Sequence, residues 1–225
     1  MKIVVYTSIF GGYDELHENQ YQMDGVDYLC FTDSDIKSDM WDIVKCTPIY
    51  SDSNRNAKKY KVLPHRYLSE YDYSIWIDGN ILIINDIRNL VNNHKYQVFD
   101  HNQTVLDPRN CVYKEYDAIM QLGKQNGGNY KDNPKLMYNQ INGYLKDGYP
   151  KNNGLATNPI ILRNHNDIEV STLMEAWWLE IKYGSRRDQL SFDYIAWKHN
   201  FKYTFLNGDS RRNAYFIQTG KHKGK

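Results

Sequence analysis

With 225 residues the chain can bury a full hydrophobic core, and nothing in its length requires a second domain. Its 28 Lys and Arg balance 27 Asp and Glu, and a net charge of +1 supplies no field for nucleic acid or an anionic membrane. Cys30, Cys46 and Cys111 are odd in number and have no C-x-x-C spacing, which argues against a disulfide framework and a zinc site and suits the reducing cytoplasm. No apolar run approaches the length of a membrane span. The 20 Tyr, 5 Trp and 7 Phe point to a core built from amphipathic rings, which also stack on sugars and bases.

Ile3 to Tyr6 reads as a buried strand, left through the small residues Thr7, Ser8, Gly11 and Gly12. Asp27 to Asp33 is a second strand ending in an acid, and Trp41 to Cys46 a third. Asn54 to Leu68 has the pattern of a helix that Pro64 must kink or split. Arg55, Lys58 and Lys61 recur on it at a helical interval, one cationic stripe able to reach a diphosphate, although such stripes are commonly solvated faces. Ser74 to Ile77 and Ile81 to Ile84 are apolar strands, followed by a short helix near Asp86 to Val91 and a strand over Lys95 to Asp100. A polar loop runs to Asn110. Cys111 to Leu122 and Pro134 to Leu145 have helical patterns, separated by a Gly/Asn-rich break. Ile160 to Arg163 is a strand, Asn166 and Asp167 cap a helix from Ile168 to Tyr183, and Gly184 ends it. Arg186 opens a helix through His199, and Phe201 to Leu206 and Ala214 to Gln218 read as short strands. Residues 1–218 therefore form one domain. The basic, glycine-spaced tail 219–225 suits an active-site flap or the start of a linker to further domains.

The chemistry centres on Asp78-Gly79-Asn80, set between two apolar strands. A carboxylate and an amide two residues apart, with a glycine between them, can both face one hard cation, an arrangement suited to a metal and a phosphate. An isolated D-G-N serves equally well as an Asx-type turn.

Strands and helices alternate through the first hundred residues and acids end two of the strands, the pattern of an α/β domain with a largely parallel sheet. Several stretches, in a consistent order over nearly the whole chain, resemble one family. They are Tyr6 to Asp14, Phe31-Thr32-Asp33, Arg55 to Lys58 with Lys61, Pro64-His65, Ile75 to Asn80, Arg109 to Glu115, Ile160 to Arg163, Arg187 to Phe192, and Arg211-Arg212 with His222. The family is the glycosyltransferase-like domain of plant cell-wall and mucilage proteins and of bacterial and viral glycan enzymes, including viral capsid glycosylation. The resemblance implies a GT-A fold, Rossmann-like, with helices flanking the sheet. It implies a metal-dependent transfer of a hexose or a 6-deoxyhexose such as rhamnose from a UDP-sugar donor to a glycan acceptor.

By the same resemblance Asp78, Asn80 and His222 hold Mn²⁺ or Mg²⁺, and the amide at position 80 stands where many relatives carry a second acid. Tyr6, Thr7 and Ser8 contact the base and ribose, Asp33 the uracil edge, Arg55 and Lys61 neutralise the donor, and Asp78 also belongs to the donor site. Asp188 is the candidate base for an inverting transfer, with Arg186 and Arg187 keeping it ionised, and Glu115 and Asp100 are alternatives. An N-terminal capping role explains Asp188 as well. Two other functions fit the same residues: a non-catalytic domain that binds glycan or nucleotide sugar, and a UDP-sugar hydrolase.

Overall fold

Strand β1 (Ile3–Ile9) is buried along its whole length, Val4 and Tyr6 facing one cluster of the core and Ile3, Val5 and Ile9 the other. A strand covered on both faces loses the in/out alternation, which is why the sequence shows a continuous apolar run. The computed structural model describes residues 1–92 and 94–220. From β1 the chain proceeds through β2 (Val26–Thr32) and β3 (Asp42–Lys45) to helix α1 (Ser53–Val62). Next come β4 (Tyr73–Ile77), β5 (Ile81–Ile83), β6 (Tyr96–Asp100), α2 (Val112–Gln125) and α3 (Pro134–Lys146). It finishes with β7 (Ala156–Arg163), α4 (Ile168–Tyr183), α5 (Phe192–Lys198), β8 (Thr204–Leu206) and β9 (Phe216–Gln218).

Seven strands form one sheet in the order β3-β2-β1-β4-β7-β6-β8, while β5 and β9 pair in a small antiparallel sheet. Among the described residues only β7 runs against its neighbours in the large sheet, so the domain is α/β with a mostly parallel sheet flanked by helices. This is the expected Rossmann-like architecture, consistent with a GT-A fold. In such sheets ligands lie beyond the C-terminal ends of the parallel strands. The reversal of β7 brings its beginning to the same edge: Ile77, the last residue of β4, pairs with Ile160.

Helix α1 begins at the cap Asp52, whose carboxylate accepts from Asn54 N, and it stops before Pro64. The proline opens a separate 3-10 turn, Pro64–Arg66, the splitting that its ring and missing N–H demand. The end of α1 is fixed from below. Fully buried Tyr6 donates its hydroxyl to the Lys61 carbonyl at 2.9 Å, and the guanidinium of Arg163 on β7 donates to the same carbonyl and to the Tyr6 hydroxyl.

Several boundaries differ from expectation, β1 running on through Ile9 and α2 through Gln125. Strand β7 starts at Ala156, four residues before the apolar run: Ala156 and Thr157 pair with Asp100 and Phe99 of β6, and the register then shifts across Asn158 and Pro159, which interrupt the hydrophobic pattern. The stretch after Arg186 is not one helix: Asp188–Leu190 is a 3-10 turn and α5 starts only at Phe192. The last two strands are shorter, starting at Thr204 and Phe216.

Asp193 on α5 ties the helix to β7, its Oδ2 accepting from Ala156 N at 2.9 Å and its Oδ1 from the Tyr203 hydroxyl at 2.5 Å. Burial pushes its carboxyl up to about 6, against the lowering by those two donors. A folded-state value above the unfolded one means that Asp193 contributes stability at low pH and loses it as pH rises through 6. Asp193→Asn, unable to take up that proton, should lack this component. The stability of the wild type relative to the variant should fall by roughly 3 kcal/mol between about pH 4 and pH 7, measured by urea denaturation across pH.

Candidate active site

A cleft of about 400 Å³ opens at the C-terminal edge of the sheet. Ser8 and Asp14 reach it from β1 and the loop beyond, and Lys58 and Lys61 from α1. Asp78 comes from the end of β4, Asn158 from the start of β7, and Asp188 from the 3-10 turn. The loop after β1 passes close to α1, since a Cβ on Gly11, whose φ is +61°, would lie 2.2 Å from Ser53 Oγ.

Lys61 lies at the centre of this cleft. Its side chain is 1% exposed, and its ammonium sits 3.0 Å from Asp78 Oδ1 and 2.7 Å from Asp188 Oδ2. The second contact is an ion pair by distance and lacks the alignment of a hydrogen bond. Lys58 completes the cluster at 3.1 Å from Asp188 Oδ1, and Trp76 Nε1 donates to Asp78 Oδ1 at 2.8 Å. Burial pushes Lys61 below its ordinary value despite Asp188 and Asp78. Burial also acts against the charge on Lys58, but there the carboxylates of Asp188 and Asp78 win and raise it. For Asp188 burial alone would push the carboxyl up. Lys58 and Lys61 outweigh it and hold the group far below the usual carboxylate range.

Around this cluster the lining also carries Lys131, Arg186, Arg187 and Arg211. Six basic side chains against Asp14, Asp78 and Asp188 give the lining an excess of positive charge, part of which Asp52, Asp132 and Glu115 offset at Arg186 and Arg187. Such a cleft is built for an anion.

Residues 1–220 match the TOD1/MUCI70 glycosyltransferase-like domain. The chain belongs to that family. It is also similar to a protein of Arabidopsis thaliana described as probable hexosyltransferase MUCI70, with 26% identity over 260 aligned residues covering 99% of this chain. The chain spans 42% of that relative's length. Membership in the TOD1/MUCI70 family makes this a glycosyltransferase-like domain and the cationic cleft its candidate active site.

The cleft gathers Ser8, Lys61, Asp78 and Asp188 from widely separated parts of the chain. Ser8 donates its hydroxyl to the Ala57 carbonyl at 2.8 Å. Other expected site residues sit elsewhere. Tyr6 is sealed in the core, and Thr7 is 1% exposed on the strand beside it. Asp33 holds the loop after β1, its carboxylate accepting from Gly11 N at 2.9 and 3.1 Å. Arg55 binds Asp52 and the carbonyls of Ile181 and Gly184, clipping α1 to the end of α4. The charges that keep Asp188 ionised also differ from expectation: Lys58 and Lys61 act first, Arg187 less, and Arg186 is bound to Asp52 and the Lys131 carbonyl. Of the alternative bases, Glu115 pairs with Arg109 and Arg187 in a neighbouring groove, and Asp100 caps its own 3-10 turn. Sequence reasoning missed Asn158 and Gln189. The local sign of Asn158 is the Thr157-Asn158-Pro159 triplet ahead of an apolar strand, and Gln189 lies beside Asp188 in the stretch Arg187 to Phe192.

Asp78 and Asn80 offer the hard oxygen atoms that Mn²⁺ or Mg²⁺ prefers. Asn80 donates Nδ2 to the Gly220 carbonyl at 2.8 Å, leaving Oδ1 as the polar atom of that amide for a cation. Among the described residues no three His, Cys, Asp or Glu converge as a metal site, and His222 lies outside them. Both side chains are of the right chemistry for such a cation, although Asn80 is buried and is not among the residues that line the cleft.

Lys61→Met should cost about 3–5 kcal/mol at neutral pH, because two carboxylates lose a buried partner. Since Asp188 has a depressed folded-state value, its stabilising contribution is present above about pH 4 and fades as pH falls, so the deficit of Lys61→Met should shrink on acidification. Arg55→Ala, which removes the clip on α4 and the ion pair to Asp52, should cost about 1–3 kcal/mol. Urea melts of both variants at pH 7 and pH 3.5 test the contrast.

Proposed function

We propose that this domain transfers a hexose or 6-deoxyhexose from a UDP-sugar to a glycan hydroxyl. The observation that carries the reading is the pair of ammonium groups, Lys61 fully buried and Lys58 partly so, gathered around Asp188 and Asp78 in a cleft whose lining has excess positive charge. A diphosphate is a doubly anionic ligand of the size and charge that such a cluster would hold. The family and the probable hexosyltransferase relative support the reaction class.

In this reading Lys58 and Lys61 turn toward the diphosphate, and Asp78 with Asn80 would hold Mn²⁺ or Mg²⁺. The bound metal would supply charge neutralisation for the leaving group. Asp188 is then relieved of part of the charge that depresses it and can accept the proton of the acceptor hydroxyl. The neighbouring groove, which shares Lys131 and Arg187 with the cleft, gives a glycan a path to that carboxylate.

Calorimetric titration of UDP with and without Mn²⁺ tests the donor half. Wild type should bind UDP more tightly with the metal, and Asp78→Ala should lose that increment; equal affinities in the two proteins would sink the assignment. Asp188→Asn should keep UDP affinity and lower transfer at least about a hundredfold. Transfer at close to the wild-type rate would remove Asp188 from the chemistry.

A further inference from the structure

Asn158 is 3% exposed, yet neither Nδ2 nor Oδ1 has a hydrogen-bond partner, although the residue lines the cleft. A buried amide left unpaired at both ends is destabilising, and an apolar side chain of that size would not be. The backbone is shaped to keep it there. Between the pairs Gln97 with Leu162 and Phe99 with Thr157, β6 advances two residues while β7 advances five, so Asn158 sits in a bulge, a device that re-aims side chains. Its neighbour Pro159 accepts from Asp78 N at 2.7 Å, which locks the bulge to the end of β4. Gln189, on the 3-10 turn packed against β7, lines the same cleft and also leaves Nε2 sheltered and unpaired.

We propose that Asn158 and Gln189 form the specificity-determining pair that reads hydroxyls of the transferred sugar. The proposal rests on the nucleotide-sugar reading above. A diphosphate carries acceptors only and would leave Asn158 Oδ1 unpaired, whereas sugar hydroxyls both donate and accept and satisfy the whole amide. The strand order places the pair accordingly. With the diphosphate at the end of β4, Asn158 on β7 lies one strand beyond it, on the side away from β1 and Ser8. A site that hydrogen-bonds a hydroxyl discriminates strongly against a substrate lacking it or presenting it differently.

The test compares UDP, UDP-glucose and UDP-galactose, which differ in the sugar alone, by calorimetry and by hydrolysis rate, in wild type, Asn158→Leu and Asn158→Asp. Wild type should rank the two UDP-sugars apart. Asn158→Leu should bind UDP within about twofold of wild type, lose at least about tenfold of the discrimination, and melt at the same or a higher temperature. A purely structural Asn158 would instead lower the melting temperature and leave the ranking alone, and that result overturns the proposal. So does a loss of UDP affinity equal to the loss for the UDP-sugars, or a wild type that treats both sugars alike. If Asn158→Leu does not fold, Asn158→Asp, which keeps the shape and loses the donor, carries the same comparison. Failure of wild type to bind UDP at all would instead remove the nucleotide-sugar reading and this inference with it.

Discussion

A fully buried ammonium is tolerable only where carboxylates meet it, and Lys61 meets two, from segments seventeen and more than a hundred residues away. That requirement draws together the end of α1, the end of β4 and the turn before α5. Each is held in place by something else. Arg163 and Tyr6 pin the Lys61 carbonyl, Pro159 pins the Asp78 backbone, and Trp177 Nε1 donates to the Asp188 carbonyl at 3.2 Å. The core clusters thus act as the support of the charge cluster, and packing errors on either face of the sheet would be felt at the cleft.

The reversed strand β7 gives the site its asymmetry. A sheet parallel throughout would place only strand ends and the loops after them at this edge. Here the beginning of β7 enters the same edge with its bulge and its unpaired amide, while its far end delivers Arg163 beneath α1. One strand therefore contributes to the cleft wall and to the support below it. Its apolar half shows in the sequence, and its polar half does not, because a bulge is a pairing irregularity that one strand alone cannot reveal.

The parts of the fold that were legible are those with strong local signals: the continuous apolar runs of β1 and β4, the Asp167 cap of α4, and Pro64 as a stop for α1. Asp78 was legible only in the company of the other matching stretches, because D-G-N alone reads as readily as an Asx-type turn. Lys61 was legible as a cation at a helical interval, but its partners were not, since Asp188 reaches it only through tertiary packing. Arg55 shows the limit of the same pattern. It shares the helical interval with Lys58 and Lys61, yet position 55 lies in the first turn of α1, within reach of the Ile181 and Gly184 carbonyls at the end of α4. Tyr6 failed for a similar reason. In a strand buried on both faces, a polar tip finds its partner inside, and proximity to the ligand edge in sequence says nothing about which way it points.

The central claim is that Lys58 and Lys61 exchange their carboxylate partners for a diphosphate. A crystal structure with UDP and Mn²⁺ bound tests it most directly. The account predicts diphosphate oxygens within ion-pair distance of both lysine ammonium groups, with the Lys61 to Asp188 contact lengthened from 2.7 Å. A diphosphate bound elsewhere, with Lys61 still locked between Asp78 and Asp188, would contradict it.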